Sequence, residues 1–375
     1  MDLPRPSSWT RPGGPPCPLI GIPRCRPPSL PADPGGIIVA LLNVLMTAAS
    51  RRVPLGRAFR RALDQLGGGA VIVTDVNPLS PAVYTADRAY RVPLATDTGY
   101  IGEIRAICAA EGVGLVVPTI DDELTPFALA SPVFEAAGVR VAVSGPETTA
   151  ICNDKYETCR VLARRGVAAA ASFLPAELPP QPRFPLFIKP RFGRGSVGAH
   201  TITNARELTF FLQYVANPIV QDYLDGPEFT IDMLCDFSGR PLSIVPRERI
   251  LVRAGVSDRG RTTKEPRLME LAESCAAALP FAGPVNIQCR VVDGRPMVFE
   301  INPRFSGGIP LTIQAGADFP HLLCQLALGM RVLPTIGQFE ENLWMTNYEA
   351  SVFLTASDIK LEPLTQRDSV EEEVV

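Results

Sequence analysis

The hydrophobic period changes along this chain, and the changes divide it. Residues 1–36 carry Pro, Gly, Arg and Ser with no apolar period, so this stretch is expected to be disordered. Residues 37–49, IIVALLNVLMTAA, are apolar but too short to span a bilayer, and a long proline-broken stretch precedes them. They read as a buried first strand, Asn43 to Thr47, rather than a signal segment. Helical periods then alternate with short apolar runs: helix 55–66, strand 71–74, helix 101–110, strand 114–117, helix 123–137 and strand 139–143. This predicts a small doubly wound domain over residues 37–150, with a parallel sheet covered on both faces.

After residue 144 the pattern differs. Ser144-Gly145-Pro146 opens a helix, and Asn153-Asp154-Lys155 falls inside it. A proline-rich connection, 167–183, leads to an apolar strand from Phe184 to Lys189. Further strands are expected at 199–203, 219–224, 228–236, 241–245 and 248–253, with helices at 266–279 and 320–328. The last strand signal is weak, at 343–354, and the acidic tail 368–375 should fray. The second part is therefore α+β, covering residues 151–335, with a C-terminal extension from 336 to 375.

One stretch in this part breaks its own pattern. Asn286 to Gly308, NIQCRVVDGRPMVFEINPRFSGG, reads as two strands joined at Asp293-Gly294. Gln288 interrupts the first, and Glu300 and Asn302 end the second on one face. A carboxylate and two amides facing one another suit a hard cation such as Mg²⁺. Gln288 joins that face only if the loop is odd, for example with Gly294 as a left-handed bulge residue, and an odd loop is the expectation. The alternative is a hairpin whose polar face meets water.

Composition narrows the chemistry. Of 375 residues, 46% are hydrophobic and 20% charged, with net charge −3, so neither a nucleic-acid nor a membrane partner is expected. The 9 cysteines show no CxxC spacing and only 2 histidines are present, which disfavours zinc, a disulfide framework and His-based catalysis. Such cysteine usage points to a reducing cytoplasm. Lysine occurs only at 155, 189, 264 and 360; all other basic residues are arginine. That bias suggests lysine is kept where a compact ammonium matters.

Lys189 ends an apolar strand, where a charge is costly unless something anionic meets it. Directly after it, Arg191-Phe-Gly193-Arg-Gly195-Ser196-Val-Gly198 is a glycine-rich turn between strands. Glycines let backbone N–H groups approach phosphate oxygens. No Gly-Lys-Ser/Thr opens a helix, so this is not a Walker A loop, and no GxGxxG follows the first strand, so a dinucleotide reading is weak. Asp121, Asp122 and Glu123 sit at a strand's carboxyl end, where ligands bind, but helix capping accounts for them as well.

Together, NDKYETC, FPLFIKPRFGRGSVG, QDYLDGPEFTID and NIQC…VFEINPR over residues 151–308 resemble the ATP-grasp superfamily, closest in kind to its carbamoyl-phosphate-synthetase-like branch. The resemblance implies a Rossmann-like pre-ATP-grasp domain followed by an ATP-grasp fold, two α+β subdomains clamping ATP. It implies that Lys155 and Lys189 meet the nucleotide, and that Gly193, Gly195, Ser196 and Gly198 form a mobile lid. Gln221, Asp222, Tyr223 and Leu224 would present backbone to adenine, with Glu228 on the ribose. Gln288, Glu300 and Asn302 would hold one or two Mg²⁺, for which Mn²⁺ can substitute. Arg304 would act with Lys189 and Glu300 on the transferred phosphoryl group.

The implied chemistry is ATP-dependent joining of a small-molecule carboxylate and amine through an acyl phosphate, with a homodimer left open as the assembly. A single grasp unit argues against carbamoyl phosphate synthesis itself. A non-catalytic ATP-binding protein is the alternative. Arg247, Glu248, Arg249 and Arg253, with Ser306-Gly307-Gly308, are candidates for carboxylate recognition.

Overall fold

The first strand, β1 (Asn43–Met46), sends Val44 and Met46 to one face of its sheet and Leu45 to the other. It is followed by α1 (Val53–Gln65), β2 (Val71–Asp75), β3 (Arg88–Arg91), α2 (Tyr100–Glu111), β4 (Val113–Val117), α3 (Asp121–Ala136) and β5 (Arg140–Val141). The strands are parallel in the order β3-β2-β1-β4-β5. Leu55, Phe59 and Leu63 of α1 cover one face, while Ile104 of α2 and Phe127 of α3 cover the other. This is the expected doubly wound domain. The edge strand β3 was not anticipated, because Arg-Ala-Tyr-Arg at a half-exposed edge carries no apolar run. The computed structural model describes residues 41–359 apart from 194 and 254, so the expected N-terminal disorder and the acidic tail lie outside the described residues.

Where a single helix was expected around residue 154, there are two: α4 (Pro146–Asn153) and α5 (Lys155–Arg164). Asp154 lies in extended conformation between them and caps α5, its Oδ1 accepting from the Tyr156 and Glu157 amides at 3.1 and 3.2 Å. The break places Lys155 at the start of a helix rather than within one.

Next come β6 (Ser172–Phe173), β7 (Leu186–Pro190), β8 (His200–Ile202), α6 (Ala205–Tyr214) and β9 (Pro218–Asp222). They form a four-stranded antiparallel sheet, β6-β9-β7-β8, with Leu208 of α6 packed on Leu186, Ile188, Ile202 and Val220.

The remaining elements are β10 (Glu228–Cys235), β11 (Pro241–Arg253), β12 (Val256–Thr262), α7 (Pro266–Ala278), β13 (Gly283–Val292), β14 (Arg295–Asn302), α8 (Ile309–Gln314), α9 (Phe319–Ala327) and β15 (Trp344–Thr346). The six strands run in the order β14-β13-β10-β11-β12-β15, each neighbouring pair antiparallel. The two strands expected at 241–245 and 248–253 are one, running through Pro246. Ile231, Met233, Ile287, Cys289 and Ile301 pack against Leu268, Ala272 and Cys275 of α7. The opposite face carries the polar residues, set by the two-residue strand period. Phe59 of α1 meets Phe305 edge-on, ring centroids 5.9 Å apart, so the parallel domain shares a core with the segment after β14.

Candidate active site

The polar face of the six-stranded sheet is ordered by register. Glu300 lies opposite Gln288, Gln288 opposite Thr230 and Thr230 opposite Arg247, which makes one row. Asn302, Asn286 and Asp232 make the next. Glu228 stands opposite Arg290, two residues from Thr230 along β10 and so on the same face.

Gln288 and Glu300 do share a face, but not through the expected turn. The loop is even: Asp293 and Gly294 have φ +49° and +75°, and Val292 pairs directly with Arg295. The shift comes instead from a bulge. Cys289 pairs with Val298 and Gln288 with Glu300, so Phe299 is the extra residue. That residue is used. Its carbonyl accepts from Lys189 Nζ at 3.1 Å, and its ring lies 5.3 Å from the same ammonium.

A cleft of about 300 Å³ opens between this face and the four-stranded sheet. Its walls include Lys155, Lys189, Gly193, Gly195, Ser196, Gln221, Asp222, Tyr223, Leu224, Glu228, Gln288 and Glu300. Residues expected from distant parts of the sequence thus meet around one space. Phe187, two residues before Lys189 on β7, and Phe299 add apolar wall.

Lys155 is buried and its ammonium donates to the Gly193 carbonyl of the glycine-rich turn. Burial lowers the pKa of the Lys189 ammonium, and Glu300 nearby opposes that. Gln221 keeps its side chain in the interior, donating to Ser172 Oγ at 2.8 Å. Only its backbone remains for a ligand. Glu228 receives Arg249 at 2.6 Å and Arg290 at 2.7 Å. Arg249, expected as a candidate for carboxylate recognition, lines the cleft beside Glu228, and so do Arg290 and Val252, which were not among the expected site residues. Arg290 was within reach of sequence reasoning, since it follows Gln288 at a spacing of two.

Three expected site residues are not in the cleft wall. Gly198 lies behind it, where a Cβ would meet Pro190 at 3.2 Å. Asn302 is 6% exposed and donates to Glu300 Oε1 at 3.0 Å. It borders a small adjoining cavity with Lys155, Gly193 and Asp121. Arg304 forms a bidentate pair with Asp121, at 3.1 and 2.9 Å.

Among the carboxylate-recognition candidates, Arg247 is fully buried. It pairs with Asp232 at 2.7 Å and donates to Ser306 Oγ at 2.9 Å. The structure therefore joins Arg247 to the Ser306-Gly307-Gly308 loop.

The chemistry of the donor set suits Mg²⁺. Gln288, Glu300 and Asn302 each carry a hard oxygen that can ligate, and Asn286 Oδ1 beside Asn302 is a buried acceptor without a hydrogen bond among the described residues. Among the described residues no group of three His, Cys, Asp or Glu forms a metal cage. One carboxylate with amides suits a cation brought with phosphates, so the residues fit.

The carboxyl edge of the parallel sheet, the other place where charges gather, is closed. Glu123 is 1% exposed and accepts from Thr47 Oγ1 at 3.0 Å, from the Thr119 amide at 3.3 Å and from Tyr100. Burial pushes its carboxyl up to about 7, against those hydrogen bonds. Arg52 donates to the Thr119, Phe305 and Ser306 carbonyls. Helix α3 begins at Asp121 with Ile120, not an acid, at its N-cap; all three acids lie in its first turn, and Glu123 reaches back to the Thr119 amide, so they serve the helix N-terminus as expected without filling the cap position.

Comparison with known proteins agrees with this arrangement. Residues 215–350 match a family model described as "ATP-grasp in the biosynthetic pathway with Ter operon", and residues 44–142 match "PylC-like, N-terminal domain". The carbamoyl phosphate synthase large chain of Thermoanaerobacter pseudethanolicus is 30% identical over 208 residues, covering 48% of this chain and 19% of that one. This chain thus spans about a fifth of the length of such relatives. Among solved structures, the biotin carboxylase of Campylobacter jejuni, in a β,γ-ATP complex, superposes with a TM-score of 0.64 at 15% identity, covering 80% of this chain and 74% of that one. The L-amino acid ligase of Bacillus licheniformis gives 0.60 at 20% identity, covering 80% and 76%. No helix among the described residues is long and apolar enough to cross a membrane. The fold, the two family models and the relatives agree: residues 215–350 match an ATP-grasp family, the fold is that of ATP-grasp proteins, and the chain is similar to carbamoyl phosphate synthase large chains.

Proposed function

We propose that this chain is an ATP- and Mg²⁺-dependent carboxylate–amine ligase working through an acyl phosphate. The observation that carries this reading is the shared cleft. Two lysines, a glycine-rich turn, the β9 strand end and a Gln/Glu pair, scattered from residue 155 to residue 300, line one space.

In this reading the backbone of Gln221 to Leu224 holds adenine and Glu228 accepts the ribose hydroxyls. Lys155 and Lys189 meet the phosphates, and Gly193, Gly195, Ser196 and Gly198 close over them. Gln288, Glu300 and Asn302 hold Mg²⁺, which neutralises phosphate charge when bound. Asn302 presents its oxygen after its amide turns away from Glu300. Phosphoryl transfer to a carboxylate asks for positioning and charge neutralisation rather than protein nucleophiles, so two histidines are no obstacle. Closing the turn keeps water from the acyl phosphate before an amine attacks it. Arg304, tied to Asp121, reaches the phosphoryl group only by exchanging that partner. The modules are taken as 37–150, 151–335 and 336–375, with β15 of the last extending the grasp sheet.

ADP release from Mg-ATP across pooled carboxylates and amines tests the proposal. Release stimulated by one pool and lost in Glu300→Ala supports a ligase. Tight Mg-ATP binding with no release in any pool favours a non-catalytic nucleotide-binding protein.

A further inference from the structure

Arg249 stands where a triphosphate would pass. It lies on β11 in the cleft wall, beside Glu228 and Gln288, the residues proposed for ribose and metal. Its side chain is 5% exposed. Nη1 donates to Glu228 Oε1 at 2.6 Å and Gln288 Oε1 at 3.2 Å, while Nη2 donates to the Gly255 carbonyl at 2.8 Å. Nε is buried and has no hydrogen-bond partner among the described residues. A buried guanidinium with an unused N–H is a costly arrangement unless a ligand completes it.

Gly255 forms the tip of the β11–β12 hairpin and has φ +76°. It rests against Gly195 of the glycine-rich turn. A Cβ on Gly255 would lie 2.9 Å from Gly195 Cα and 3.1 Å from its carbonyl carbon. The two backbones meet this closely because Gly255 carries no side chain. A continuous path therefore runs from Glu228 and Gln288, through Arg249 and Gly255, to the glycine-rich turn.

We propose that Arg249 is a nucleotide-contacting residue that couples occupancy of the cleft to its closure. When Glu228 takes the ribose and Gln288 the metal, Arg249 Nη1 loses both partners, and Nε and Nη1 turn to phosphate oxygens. Nη2 keeps the Gly255 carbonyl, so the hairpin tip is drawn onto Gly195 and both loops are held down together. Arginine suits the task because one planar fork holds a carbonyl and a phosphate at once, which an ammonium does not. This rests on the nucleotide site proposed above and not on its acceptor substrates.

The experiment is hydrogen exchange on the full chain, with and without Mg-ADP, following peptides over 250–256 and 192–198, with affinity measured by calorimetry. In the wild type both peptides should gain protection together. Arg249→Gln should bind Mg-ADP about tenfold more weakly, the scale of one lost charge-assisted hydrogen bond, and lose the coupled protection. Arg249→Lys should regain affinity but not protection. Gly255→Ala, which leaves Arg249 in place, should keep the affinity and lose protection at both loops, and it decides the matter if Arg249→Gln does not fold. Wild-type binding without protection overturns the coupling alone. Equal protection in Arg249→Gln overturns it as well, as does fast exchange at both loops in that variant even before Mg-ADP is added, which marks Arg249 as a structural strut. Absence of Mg-ADP binding in the wild type overturns the nucleotide site and the coupling together.

Discussion

Two strand edges in this molecule gather charge, and they differ in how the charge is answered. At the carboxyl edge of β1 and β4, Arg52 donates to three carbonyls, Glu123 accepts from two hydroxyls and an amide, and Arg304 pairs with Asp121. In the cleft, among the described residues, Lys189 has a single carbonyl, Arg249 keeps an unpartnered N–H, and Gln288 and Glu300 line an open volume of about 300 Å³. Doubly wound sheets bind ligands at the first kind of edge. Here that edge has become an internal joint, closed by the segment that follows β14. Position in the fold marks both places, and only the state of the polar groups separates a joint from a site.

The largest expected effect lies in the cleft. Glu300→Gln should lower Mg-ATP turnover by at least about 10²–10³-fold, since a charge aimed at the reacting phosphates is removed. Its melting temperature should stay near that of the wild type, because Glu300 is only half-buried. Undiminished turnover would move the reaction out of this cleft. The edge should respond in the opposite way. Arg52→Met removes a donor from three buried carbonyls, of which Phe305 keeps Arg304 Nη1 while Thr119 and Ser306 lose the bond, and denaturant unfolding should show a loss of about 2–4 kcal/mol. Burial, with Arg304 nearby, lowers the Arg52 guanidinium to about 9, so it is still cationic at neutral pH. Mg-ADP affinity of the folded variant should not change. A large affinity loss would make the edge part of the site and erase the contrast.

Lys189→Met sharpens the comparison from the cleft side. Nucleotide should bind about 10–100-fold more weakly, the cost of a lost ammonium–phosphate contact. Stability should hold or rise, because a desolvated ammonium held by one carbonyl is replaced by an apolar chain. A stability loss with unchanged affinity would class Lys189 with Arg52.

Much of this was legible in the sequence, and the gaps have physical causes. Apolar runs and helical periods located the parallel sheet because its strands are buried on both faces. β12, reading VSDRGRT, was invisible because its pattern is polar and only tertiary pairing makes it a strand. Gln288, Glu300 and Lys189 stood out as polar residues in apolar strands. Their shared face was expected from an odd turn, yet a bulge at Phe299 provides it, and no local signal distinguishes the two. Arg249 was one arginine among several on a long strand. Its place between Glu228 and Gln288 comes from pairing across three strands, which no spacing along the chain encodes.

The smallest effect tests whether the closed edge is as self-contained as its hydrogen bonds imply. Burial raises the Glu123 carboxyl to about 7 in the folded chain, from an ordinary value near 4.5. Between those values the native state holds a proton that the unfolded chain has released. Stability must therefore fall as pH rises through that window and level off above it. Glu123→Gln removes the titration while keeping the side-chain shape. The stability of the variant relative to the wild type should grow by on the order of 1–3 kcal/mol between pH 5 and pH 8. Mg-ADP affinity should show no matching change over that range. Parallel stability curves would mean that Glu123 is ionised throughout, held by Tyr100, Thr47 and Thr119 strongly enough to outweigh burial. An affinity that follows the stability curve would instead tie this edge to the cleft, through Arg52 and the Phe305–Ser306 carbonyls that join them.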